Sequence, residues 1–121
     1  MARVLFVDDD PFTLETLTKA VEVFGHQALS AHSGREGLDL AAGESPDLIF
    51  TDMRLPDMDG LTLVTELKAQ PETAQIPVLV LSASPVLDAV ERAKAAGARD
   101  YLNKPIRLQA LLDIIQQYTT Q

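Results

Sequence analysis

Three short stretches of the chain are continuously apolar or nearly so: VLFV at Val4–Val7, LIFT at Leu48–Thr51 and VLVL at Val78–Leu81. A strand with one wet face alternates apolar and polar residues. An unbroken apolar run of this length suits a strand covered on both faces, as in a parallel sheet. A shorter run at Arg99–Leu102 and a weaker candidate at Gln27–Ala31 bring the number to five. Between the runs, apolar residues recur at helical spacing, as with Leu14, Leu17, Val21 and Phe24, then Leu61, Val64 and Leu67, then Leu108, Leu111, Leu112 and Ile115. Asp10-Pro11 and Ser84-Pro85 each read as a helix N-cap followed by proline at the first helical position. Gly25, Gly43 and Gly97 lie where helices should stop. Strand and helix alternating five times with short connections predict an α/β fold with right-handed crossovers, as one domain over residues 1–121.

The bulk properties exclude several kinds of chemistry. The chain has no cysteine, which removes disulfides, thiolate metal sites and thiol nucleophiles. No apolar run approaches the ~18 residues of a membrane span and no signal-peptide pattern opens the chain, so the expected location is cytoplasmic and away from the membrane. The net charge of −8 is unevenly spread: residues 1–91 carry 16 acids and 5 bases, residues 92–121 carry 5 bases and 2 acids. An acidic body argues against direct nucleic-acid binding, which draws its affinity from neutralised phosphates.

The polar residues fall in a pattern. Asp8 and Asp9 follow the first apolar run, Asp52 the third, Ser82 the fourth and Lys104 the fifth. All are then at carboxyl ends of strands, where open α/β sheets place their ligand crevice. Two like charges at ~4 Å repel by about 4 kcal/mol at an effective dielectric of about 20. Three clustered carboxylates therefore call for a cation, and an all-oxygen, water-rich donor set suits Mg²⁺ or Mn²⁺. A metal, an ammonium and a hydroxyl around one carboxylate suit phosphoryl transfer, with that carboxylate as nucleophile. Asp10 reads as the cap of the first helix.

Over its whole length the chain resembles the receiver domains of two-component response regulators, including the chemotaxis receivers. The resemblance is carried by VDDDP, by DLIFTDMRLPDMDG from Asp47 to Gly60, by VLVLSA and by AAGARDYLNKP. The intervals agree as well: 43 residues from Asp9 to Asp52, 30 to Ser82 and 22 to Lys104. The resemblance implies a doubly wound, flavodoxin-like (βα)5 fold with strand order 2-1-3-4-5. It implies that Asp52 is the phosphoacceptor, that Asp8, Asp9, Asp52 and the backbone carbonyl of Arg54 hold the metal, and that Ser82, Lys104 and Tyr101 form the switch. It further implies a cis Lys104-Pro105 peptide and phosphoryl-lifetime tuning at Arg54 and Ser84. The implied donor is a sensor histidine kinase or a histidine phosphotransfer protein, and the implied readout is a downstream effector meeting the face of the fourth helix, fifth strand and fifth helix. A monomer, dimeric on phosphorylation in the manner of the family, is the corresponding assembly.

Blander and competing readings remain at this level. Asp57 and Asp59, with Pro56 and Gly60, read as turn and helix-start residues. His26 and His32 read as surface residues. The chain is expected to be a phosphoacceptor rather than an enzyme, either standing alone or forming the N-terminal part of a longer regulator. The alternatives are a Mg²⁺-dependent phosphatase using an aspartyl phosphate, for which Asp8 and Asp10 supply a D-x-D pattern, and a receiver fold that acts as a binding module without phosphorylation.

Overall fold

A computed structural model describes residues 2–83 and 87–119. Five strands alternate with five helices: β1 Arg3–Val7, α1 Pro11–Val23, β2 Gln27–Ala31, α2 Gly34–Glu44, β3 Leu48–Asp52, α3 Gly60–Ala69, β4 Val78–Ser82, α4 Leu87–Ala96, β5 Asp100–Asn103 and α5 Leu108–Thr119. The strands form one parallel sheet of order β2-β1-β3-β4-β5. This is the order that the resemblance implies. Ser84 and Pro85, read as a cap for α4, lie outside the described residues. No described helix is long and apolar enough to cross a membrane.

The period of two along a strand explains the two layers. Leu5, Val7, Ile49, Val78 and Val80 point to one side, where Leu38 and Ala41 of α2, Leu63, Val64 and Leu67 of α3, and Ala89 and Ala93 of α4 cover them. The alternate residues Val4, Phe6, Leu48, Phe50, Leu79 and Leu81 face Leu14 and Val21 of α1 and Leu111 and Ile115 of α5. Phe6 and Phe50 stack at 5.5 Å in that second layer. Because the central strands bury both faces, their apolar runs are unbroken. Each fully buried large side chain contributes roughly 1.5–3 kcal/mol, and the gain is concentrated in β1, β3 and β4. Those are the strands whose ends carry Asp8, Asp52 and Ser82.

Local signals behave as expected at most termini. Asp10 caps α1, its carboxylate accepting from the Phe12 amide and the Thr13 hydroxyl, ahead of Pro11. Gly25 and Gly97 take positive φ after α1 and α4. Gly43 does not stop α2: it sits inside the last turn, and Ser45 adopts the left-handed conformation instead, at φ 48°. His26 is half-buried rather than a plain surface residue. Its Nδ1 accepts the Ala2 amide at 3.1 Å, satisfying the donor at the entry to β1.

Candidate phosphoacceptor and metal site

Chain order reverses between β1 and β3, since β2 lies on one side of β1 and β3 on the other. This switch point opens a crevice at the carboxyl ends of the strands. Asp8 and Asp9 leave β1 there, and Asp52 ends β3 beside them. One carboxylate oxygen from each of the three lies within 4.8 Å of the others. Asp8 is buried, Asp52 half-buried and Asp9 exposed. Asp8 is fixed from two sides: Oδ1 accepts the Asp10 amide at 2.9 Å and Oδ2 accepts from Lys104 Nζ at 2.7 Å. Lys104 Nζ also lies 3.3 Å from Asp52 Oδ1, which accepts the Met53 amide at 2.9 Å.

The electrostatics match this geometry. Burial is the largest influence on the Asp52 carboxyl and raises it above the usual range; Lys104 pulls it back and the Asp8 charge adds to the rise. Burial draws the Lys104 ammonium down, yet the Asp8 hydrogen bond and the charges of Asp52 and Asp8 outweigh it and leave it raised. A lone ion pair would lower its acid. Asp52 goes the other way because desolvation and a second carboxylate outweigh one ammonium. Three acids from two strands with one lysine among them leave room in charge for a divalent cation. Hard oxygen donors with an open, wet side fit Mg²⁺ and Mn²⁺.

A cavity of about 490 Å³ adjoins Asp52. It is lined by Arg54, Ser82, Arg92, Tyr101 and Lys104 among others. Ser82 is buried at the end of β4, and Tyr101 is 9% exposed within β5. Five of the residues named from the sequence therefore surround one space. The Lys104-Pro105 peptide is cis. Ser84 lies outside the described residues. Arg92, on the exposed side of α4, was not singled out from the sequence: a lone arginine in a charged amphipathic helix carries no signal of its own. Asp59 caps α3, accepting the Thr62 amide at 2.8 Å. Gly60 follows because a Cβ there would meet the Asp52 carbonyl oxygen at 2.5 Å.

Residues 4–116 match the family model of the response regulator receiver domain. Protein PilH of Pseudomonas aeruginosa is 38% identical over 115 residues, covering 95% of each chain. Among solved structures, the chemotaxis protein CheY4 of Vibrio cholerae superposes with a TM-score of 0.92 at 30% identity, over 98% of both chains. The receiver domain of the sensor histidine kinase PA1611 from Pseudomonas aeruginosa, with a magnesium ion coordinated in its active-site cleft, gives a TM-score of 0.88 at 27% identity, over 97% of this chain and 96% of that one. The chain belongs to the response-regulator receiver family, whose domains are the phosphoacceptors of two-component signalling.

Proposed function

We propose that the protein is a phosphorylation switch in which Asp52 accepts a phosphoryl group from a phosphohistidine on a sensor kinase or histidine phosphotransfer protein. The observation that carries this reading is the triple carboxylate cluster of Asp8, Asp9 and Asp52 with Lys104 held between two of its members. Asp52 attacks phosphorus through a carboxylate oxygen, the P–N bond breaks, and its electron pair returns to the imidazole, which takes up a proton. Asp8, Asp9, Asp52 and the Arg54 carbonyl would hold Mg²⁺, which neutralises the charge gathered on the transferring group. Lys104 orients Asp8 and Asp52 beforehand and then pairs with a phosphoryl oxygen. Ser82 donates its hydroxyl to another, and Tyr101 follows into the space vacated. Arg54, exposed at the mouth, and Ser84 tune how long the acyl phosphate survives.

An apolar groove beside the site supports a protein donor. It is lined by Phe12, Leu17, Pro105 and Ile106, has a volume of about 370 Å³ and reaches Lys104. Phe12 stands at its edge, 73% exposed. Phosphorylation then shifts the population of the face built from α4, β5 and α5 toward the form an effector binds.

Incubation with Mg²⁺ and a small acyl-phosphate donor, read by intact mass, tests the reading. One phosphoryl mass should be gained by the wild type, and none without Mg²⁺ or in Asp52→Asn. A folded wild-type protein that gains no mass from this donor or from a phosphohistidine donor overturns it and leaves a receiver fold used as a binding module. Steady turnover of a phosphomonoester would instead favour the phosphatase.

A further inference from the structure

The segment between β3 and α3 carries Arg54, whose carbonyl the proposed metal site uses, and it is held in an unusual way. Its base is closed by its own backbone: the Leu55 amide donates to the Met58 carbonyl at 3.1 Å, the Gly60 amide to the Met53 carbonyl at 2.7 Å, and Arg54 bridges to Asp59. Its tip is held by another element. Asp57 Oδ1 accepts the Gly34 amide at 2.8 Å and Oδ2 accepts the Arg35 amide at 2.9 Å. These are two of the four donors that the first turn of α2 leaves without helical partners.

The helix already has a cap of its own. Ser33 takes the Glu36 amide at 3.2 Å, and the Glu36 carboxylate returns to the His32 amide at 2.7 Å. Asp57 thus adds to this local cap from 22 and 23 residues away. The bonds to Arg35 and Gly34 hold its carboxyl below the usual range, as expected of a charged acceptor at a helix N-terminus. Met58, the next residue, lies flat on Gly34: a Cβ at that position would fall 2.5 Å from Met58 Cγ and Sδ. The tip of the segment is therefore docked on α2 by a two-point polar clamp and by one apolar contact, Met58 on Gly34, which a Cβ at residue 34 would displace.

We propose that Asp57 is a positioning residue for the metal site: by clamping the β3–α3 segment to the first turn of α2 it presets the Arg54 carbonyl and makes α2 sense the state of the site. The inference rests on the metal-binding role given above for the Arg54 carbonyl. Without the clamp, the residues from Arg54 to Asp57 keep their base but lose their anchor, and the carbonyl must be ordered at the moment of metal binding. That ordering cost weakens affinity. Coupling is reciprocal, so metal bound at the site should in turn hold the α2 amides.

The test is a Mg²⁺ titration by calorimetry, together with amide hydrogen exchange. In Asp57→Ala the Mg²⁺ dissociation constant should rise roughly three- to tenfold, the scale of one ordinary net hydrogen bond, because only part of the clamp's loss at this exposed site reaches the Arg54 carbonyl. Asp57→Asn, which keeps one carbonyl acceptor, should fall between. Gly34→Ala, which pushes Met58 away from the α2 side, should act in the same direction. Thr73→Val, a core lesion at the far end of α3, should lower the melting temperature without moving the constant. In metal-free protein Asp57→Ala should speed exchange at Leu55 as well as at Gly34 and Arg35, and Mg²⁺ should slow Gly34 and Arg35 in the wild type.

An unchanged dissociation constant in both Asp57→Ala and Gly34→Ala overturns the inference while leaving the metal site standing. Wild-type protein that binds no Mg²⁺ overturns both. Exchange confined to Gly34 and Arg35, with Leu55 unmoved, reduces Asp57 to a helix cap and also overturns it.

Discussion

Lys104 touches two members of the acidic cluster, so replacing it with methionine tests what its positive charge contributes there. Lys104 Nζ lies 2.7 Å from Asp8 Oδ2 and 3.3 Å from Asp52 Oδ1. At an effective dielectric of about 20 these are gross attractions of about 6 and about 5 kcal/mol. Without the ammonium, Asp8 and Asp52 face each other with oxygens within 4.8 Å, a repulsion of at least about 3.5 kcal/mol on the same scale. Water screens part of this, because the Lys104 side chain is 23% exposed, whereas Asp8 at 5% cannot turn to solvent. Exposed pairs contribute ~0–1 kcal/mol and breaking a buried pair costs ~3–5 kcal/mol. The site lies between the two, so Lys104→Met should lose about 2 kcal/mol.

For a domain of this size that is a fall in melting temperature of roughly 8 °C, measured at pH 7 in EDTA. Saturating Mg²⁺ should then narrow the gap, because a divalent cation takes over the neutralisation in the variant and its binding free energy adds to folding. The Lys104 ammonium is raised by its partners, so its contribution is complete at pH 7 and is lost only as pH climbs through that raised value. A variant as stable as the wild type in EDTA would refute the reasoning. So would a deficit of the same size with and without Mg²⁺, which would point to packing of the lysine stem rather than to charge.

Three further outcomes follow from the same geometry. The Asp52 carboxyl is raised from 3.8, chiefly by burial, so the folded state keeps that proton to higher pH than the unfolded chain and stability drains away as pH rises through this interval. Asp52→Asn should therefore melt above wild type at pH 7 in EDTA, with the gap closing as pH falls toward 3.8; a lower melting point at pH 7 contradicts the burial argument. Gly60→Ala places a Cβ 2.5 Å from the Asp52 carbonyl oxygen and 3.1 Å from Met53 Cα, backbone that cannot swing aside. A cost of about 2–4 kcal/mol in urea unfolding and slower acyl-phosphate labelling are expected, and wild-type behaviour in both assays would show that the segment yields. Thr73→Val removes a buried hydroxyl that donates to the Leu67 carbonyl at 2.6 Å and should cost about 1–2 kcal/mol, with labelling of Asp52 unaltered.

What could be read from the sequence, and what could not, divides along a physical line. The strand ends could be read because burial on both faces leaves no polar residue inside Val4–Val7 or Val78–Leu81, so the first polar residue after each run marks where the chain leaves the sheet. Asp8 and Ser82 are legible in that way and Lys104 by its place before Pro105 just past the fifth run, and topology then brings them together. Side-chain caps could be read too, since Asp10 before Pro11 needs only local chemistry. Gly43 misled because the left-handed turn after α2 tolerates a serine, and one residue's φ is set by the chain that follows it as much as by its own side chain. The same limit hid His26 and Asp57. Both bind backbone amides, and an amide has the same identity at every position, so no residue type on the far side announces the partner.

This limit bears on how the site works. The residues proposed to do chemistry, Asp52 foremost, are marked by type and by place, whereas the bonds that set their geometry run to anonymous backbone. Asp8 is oriented by the Asp10 amide, Asp52 by the Met53 amide and the β3–α3 segment by the amides of Gly34 and Arg35. A receiver could therefore keep every acid, its lysine and its hydroxyl, and still differ severalfold in metal affinity through a change at Gly34 or Met58, neither of which carries a charge or touches the cluster. On the proposed reading, affinity for the metal depends on how firmly α2 holds the segment as well as on the carboxylates, and those two contributions separate in the Asp57→Ala and Lys104→Met variants. The first should weaken metal binding and carry its own stability cost from the two bonds lost to α2, whereas the second should lower metal-free stability and let Mg²⁺ restore part of it.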